Sequence, residues 1–126
     1  MPESYEIDVP NGIVTCRAWG EFTNEELRGH YRRLLADPQF HSRYCQLGDV
    51  CGVTTFTVDS ETIEATARMG VFDAGVPRAF VAPPGVGYGL ARMFSAYAQS
   101  QGQALEVFHD LATARAWMMA HPNRCP

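Results

Sequence analysis

The chain contains no lysine: all ten of its basic residues are arginine. That excludes a Schiff-base lysine and the phosphate-gripping lysine of a P-loop, although the absence itself reads first as genomic composition. No apolar run approaches the ~18 residues of a membrane-crossing helix. Met1-Pro2-Glu3-Ser4-Tyr5-Glu6 has no basic stretch followed by an apolar one, so no signal peptide is expected. The four cysteines, Cys16, Cys45, Cys51 and Cys125, form no C-x-x-C pair and no zinc-ribbon spacing. They are expected as reduced thiols of a cytoplasmic protein. No G-x-S-x-G, H-E-x-x-H or reactive Cys–His motif occurs, which argues against an enzyme. Basic charge is also short: 10 basic side chains face 14 acidic ones, for a formal charge of −4. Such a surface releases few phosphate counterions, against a nucleic-acid or anionic-membrane binder.

What is present is a foldable chain. Hydrophobic residues make up 46% of the 126, enough for a core, and no repeat or linker divides them. A single domain over 1–126 follows. Tyr5-Glu6-Ile7-Asp8-Val9 alternates like a half-buried strand, and Asn11-Gly12 turns the chain into a second strand, Ile13 to Trp19, ended by Gly20. Thr23 and Glu26 form a capping box for a helix from Asn24 to Ala36. Its apolar stripe is Leu27, Tyr31, Leu34 and Leu35, and Asp37-Pro38 stops it. Gln46 to Val50 reads as a strand, and Ser60 to Met69 as a helix capped by Asp59 or Ser60. Arg78 to Ala82 is a central strand, feeding through a glycine-rich turn into a helix from Tyr88 to Gln101. Ala104 to Phe108 is the last strand, and Asp110 caps a last helix ending near Ala120. A hairpin followed by alternating helices and strands predicts an α/β fold. It should have a mainly parallel sheet of about five strands, one antiparallel edge strand and about four helices.

Several segments together carry a resemblance. They are Gly20-Glu21-Phe22-Thr23-Asn24-Glu25-Glu26, Leu47-Gly48-Asp49, Tyr88-Gly89-Leu90-Ala91-Arg92-Met93-Phe94, and Val107-Phe108 with Ala114 and Trp117. In this order and spacing the chain resembles the SpoIIAA-like, or STAS-like, bacterial family over nearly its whole length. The resemblance implies a (βα) superhelical domain. It also implies kinship of fold with anti-anti-sigma factors, which switch protein partners, and with Sec14-like domains, which bind apolar ligands. Fold alone leaves function open.

Candidate residues fall into three groups. Asp59-Ser60 resembles the Asp-Ser pair whose serine is phosphorylated in anti-anti-sigma domains, but Glu61 would repel a phosphate, and a plain helix cap is the competing reading. Gly85, Gly87, Tyr88, Gly89, Arg92 and Met93 lie where a strand feeds a helix start, a place suited to an anionic ligand. His109 is expected at the same sheet edge. The other histidines read as structural: His30 follows Glu26 by four residues as a solvated pair, and His41 with Cys45 lacks a third ligand. No metal or cofactor is expected. The functional expectation is a non-enzymatic module acting through a protein partner, with a carrier of a small apolar or anionic lipid-like ligand as the alternative. A homodimer is expected from Trp19, Phe22, Phe40, Tyr44 and Phe72, large groups near element ends.

Overall fold

The computed structural model describes residues 3–123. It contains β1 (Glu3–Asp8), β2 (Ile13–Thr23), α1 (Asn24–Ala36), β3 (Cys45–Thr57), α2 (Ser60–Ala67), β4 (Pro77–Val81), α3 (Val86–Gln99), β5 (Ala104–Phe108) and α4 (Leu111–Ala120). The five strands form one sheet in the order β1-β2-β3-β4-β5. β1 pairs antiparallel with β2, and every other pair is parallel. The fold is thus the α/β arrangement that the alternation of elements implies.

The strand order explains the layers. Right-handed crossovers that always step in the same direction place their helices on the same face. Helices α1, α2 and α3 accordingly share one core with the sheet, built on Val14, Tyr31, Leu34, Ile63, Phe94 and Leu105. Helix α4 follows the last strand and covers the opposite face, where Ala114 and Met118 meet Cys45, Leu47, Ala79 and Val81.

Two strands run further than their sequence suggests. β2 passes through Gly20 to Thr23, because Gly20 takes φ +66° where its register against β3 shifts. β3 continues from Val50 to Thr57, through the β-branched Val53, Thr54, Thr55 and Thr57, and pairs with β2 as far as Thr23. β4 pairs with β3 only up to Asp49. Beyond that point β2 and β3 form a two-stranded extension, which carries Phe22 and Phe56 past the carboxyl end of the parallel sheet.

The large groups at element ends are mostly covered. Phe22 and Phe72 are buried, and Phe40 and Tyr44 pack against the first core; of that set Trp19 alone is exposed, at 41%. Two of the cysteines, Cys16 and Cys51, are free thiols. Cys45 is disulfide-bonded, so the expectation of four reduced thiols fails there. Spacing speaks only to near neighbours in sequence, whereas a disulfide joins whatever cysteines the fold brings together. Cys125 lies outside the described residues. Among the described residues no helix is long and apolar enough to cross a membrane.

Candidate functional site

The inward face of β1 carries Glu3, Tyr5 and Ile7, and the inward face of β2 carries Val14, Cys16 and Ala18. The antiparallel register sets Glu3 opposite Ala18 and Tyr5 opposite Cys16. Helix α1 presents His30 to the same place, one turn after Leu27 and beside the buried Tyr31. The result is a buried relay. His30 Nδ1 lies 2.7 Å from Glu3 Oε1, and His30 Nε2 lies 3.1 Å from Cys16 Sγ. Arg33 donates to the second Glu3 oxygen. Glu26 is not the partner of His30: it closes the capping box with Thr23, accepting the Thr23 amide at 3.0 Å. The solvated Glu26–His30 pair is therefore replaced by a buried Glu3–His30–Cys16 line.

The electrostatics follow from these contacts. Burial works against the charge of His30, but its hydrogen bonds with Cys16 and Glu3 outweigh burial and raise its pKa to about 9. Burial opposes the charge of Glu3 as well, yet the bonds from His30 and Arg33 hold it down to about 2. An ionised Glu3 only accepts, so His30 Nδ1 carries the N–H toward it, and Nε2 faces the sulfur. The two ring nitrogens point in opposite directions, so Glu3, His30 and Cys16 do not converge on a point. Among the described residues no group of three or more His, Cys, Asp or Glu is arranged to hold a metal ion.

A second buried group approaches Cys16 from the sheet. Gln46 Nε2 donates to Cys16 Sγ at 3.4 Å and to the Tyr31 hydroxyl at 3.2 Å. The buried Arg78 holds Gln46 in place, donating to its Oε1 at 2.9 Å, and also donates to Tyr31 and Gln103. Its guanidinium lies 4.6 Å from the Phe72 ring centre, and this ring and the amide oxygens supply the negative ends it needs. No described carboxylate pairs with it in an ion bridge.

Cys16 opens onto a cavity of about 100 Å³ between the sheet and helices α1 to α3. Its walls are Ala18 and Phe22 from β2, Leu27 and Tyr31 from α1, Gly48 and Phe56 from β3, Ile63 from α2, Phe80 from β4, and Leu90, Ala91 and Phe94 from α3. Gly48 keeps this floor low: a Cβ there would lie 2.9 Å from the Phe80 ring. Glu3, Cys16, His30 and Gln46 form one polar end, and Arg17 and Asp49 line the space as well.

The residues singled out around the third helix lie elsewhere. Tyr88, Arg92 and His109 do come together on the surface. The Tyr88 and His109 rings stack at 4.2 Å, Arg92 Nη1 donates to the Tyr88 hydroxyl at 3.5 Å, and His109 Nδ1 donates to the Ala82 carbonyl at 3.1 Å. Met93 instead packs against the first core. Gly85 is the N-cap of α3, at φ +129°, which only glycine holds easily. Gly87 lets the helix close on Phe56, since a Cβ would lie 2.8 Å from that ring. Gly89 is exposed with open space beside it. None of these seven residues lines the cavity. The parallel strands follow one another in order, and the crevice that a reversal of order would open does not arise among them.

Asp59 is the N-cap of α2, accepting from the Thr62 amide at 2.7 Å and from Asn24 Nδ2 at 2.9 Å. Those bonds hold its carboxyl below the usual range. Ser60 is the exposed first residue of the helix.

The sequence reading missed Glu3, Cys16, Gln46 and the role of His30. The signal was phase. Glu3 shares the strand period of Tyr5 and Ile7, and Leu27, His30, Tyr31 and Leu34 form one helical stripe at i, i+3, i+4 and i+7. No family model matches the chain, and no curated protein matches it.

Proposed function

We propose that the protein binds a small apolar ligand in the cavity between the sheet and helices α1 to α3. The observation that carries this is the hollow itself: the space between α3 and the sheet is open rather than packed, and its walls are aromatic and aliphatic. Interiors normally pack without such voids, and a dry engineered cavity of about 150 Å³ is known to take up benzene. At about 100 Å³ the space is smaller than that, so one six-membered ring is the most it holds. This reading takes the carrier or sensor alternative ahead of a purely partner-binding module.

The test is an NMR titration of the free protein with cyclohexanone, alongside native mass spectrometry of freshly purified material. Shifts confined to cavity residues, and their loss in Ala91→Leu, support the reading. Shifts that are absent, or equal in the variant, refute it.

A second reading is the STAS-like one, in which the domain works by binding a protein partner or a second copy of itself. What favours it is exposed apolar surface at Trp19, Leu35 and Val86, at 41%, 52% and 73%. Light scattering tests the homodimer: a monomeric mass at micromolar concentration removes it.

A further inference from the structure

We propose that Cys16 is a nucleophile that captures a small apolar α,β-unsaturated ketone or aldehyde as a covalent adduct inside the cavity. The proposal rests on the ligand-binding reading above and adds chemistry to it. Three geometric facts carry it. The sulfur stands at the polar end of an apolar cavity, so a ligand seated there lies against it. His30 Nε2 is 3.1 Å from Sγ, and Glu3 fixes the opposite ring nitrogen at 2.7 Å. Nucleophile, base and orienting carboxylate are thus in line, the arrangement that activated thiols use. Gln46 aims an amide N–H at the same sulfur, and Arg78 holds that amide by its oxygen. An N–H donor from Gln46 stabilises negative charge on Sγ, as no acceptor would.

The reaction balances without any further reagent. In the reactive form the proton shared between Sγ and His30 Nε2 lies on the ring, the charged form that its bonds to Cys16 and Glu3 favour. The sulfur electron pair forms an S–C bond to the β-carbon of the enone, and the C=C π pair moves to the α-carbon and carbonyl oxygen as an enolate. The proton on His30 then passes to the α-carbon. Nothing is oxidised, nothing leaves, and the sum is addition of S–H across the double bond. The class of electrophile follows from the walls: Leu27, Phe80, Leu90 and Phe94 favour a carbon skeleton, while a hydrated oxidant such as peroxide gains nothing from them. Cys51 is the internal control. It is exposed, yet burial of its sulfur and the neighbouring Asp49 push its thiol up to about 11, so the accessible thiol is the poorer nucleophile. The absence of lysine removes the usual competing amine side chain.

The experiment exposes the whole folded protein to cyclohex-2-enone and reads intact mass, then peptide mass to place the adduct. Cyclohexanone binding by NMR is measured in parallel on wild type and Cys16→Ser. The expected result is one adduct on Cys16, faster than on Cys51 and faster than on free glutathione at the same pH. It should be lost in Cys16→Ser, unchanged in Cys51→Ser, and slowed at least about tenfold in His30→Gln, as loss of a general base requires. If His30→Gln does not fold, the comparison with glutathione decides: a Cys16 rate no higher than that of the free thiol overturns the proposal. Cyclohexanone binding with no adduct, or with the adduct on Cys51, also overturns it while leaving the cavity reading intact. Failure of cyclohexanone to bind at all overturns both.

Discussion

At the scale of single residues, the buried charges make stability depend on pH in two separate windows. His30 has a pKa raised from 6.5 to about 9, so the folded state holds a proton that the unfolded chain releases earlier. Its contribution is complete below about pH 6.5 and is lost as pH rises through about 9. Glu3 is the opposite case. Its pKa falls from 4.5 to about 2, so its contribution is complete above pH 4.5 and is lost as pH falls toward 2. The groups facing this pair are Tyr5 from β1, Cys16 from β2, Tyr31 and Arg33 from α1, and Gln46 from β3, with Arg78 behind. Denaturant unfolding at a series of pH values should show both slopes, and His30→Gln should flatten the one between 6.5 and 9. Glu3 acts through His30 as a positioning residue, so Glu3→Gln should bring the NMR titration of His30 down from about 9 toward 6.5. An unchanged titration would show that Glu3 does not hold the ring. These residues were only half legible in the sequence. Their inward phase is readable, but a histidine four residues after a glutamate reads more simply as half of a solvated pair. The pairing across 27 positions depends on the β1–β2 register and the docking of α1, which no local pattern encodes.

At the scale of elements, capping chemistry was legible and strand length was not. The α1 range, Asn24–Ala36, follows directly from the Thr23–Glu26 box and Asp37-Pro38, and the structure shows both halves of that box. Thr23→Ala should therefore cost about 1 kcal/mol of stability by denaturant unfolding. Ser60→Ala should change it by less than about 0.5 kcal/mol, because Asp59 supplies the cap and Ser60 lies on the surface. A large loss from Ser60→Ala would mean that the serine takes over the cap in solution. A terminator is a local event, which explains why helix starts were readable. Glycine in a strand is ambiguous: by sequence Gly20 marks an end, whereas the fold uses its positive φ to continue β2 through a bulge. The extended part of β3 was equally hidden, since Cys51 to Thr57 gains its strand character only by pairing with the matching extension of β2.

At the scale of the whole molecule, topology determines where a cavity can form. With the strands in sequential order, three crossover helices crowd one face and α4 alone covers the other. The crowded face must fit α1, α2 and α3 over a twisted sheet, and the β2–β3 extension brings Phe22 and Phe56 to its open end. Ala18 and Ala91 are small where a packed core would be large, so the void comes from residue choice as well as layout, whereas the Phe80 ring fills the space beside Gly48. A void of this kind lowers stability, because its walls forgo contacts they would otherwise make. Ala91→Leu should reclaim part of it. Three added carbons, buried at about 0.8 kcal/mol each, set an upper limit, and strain from imperfect fit reduces the gain to about 1–2 kcal/mol. The variant should unfold at higher denaturant than wild type when no ligand is present, and wild type should recover ground as cyclohexanone is added, because binding to the folded state alone stabilises it by mass action. A variant that is more stable and no longer responds to ligand is the signature of a space kept open for use. If Ala91→Leu is instead destabilised by several kcal/mol, the side chains around Ala91 already fill the space, and the cavity is no room for a ligand.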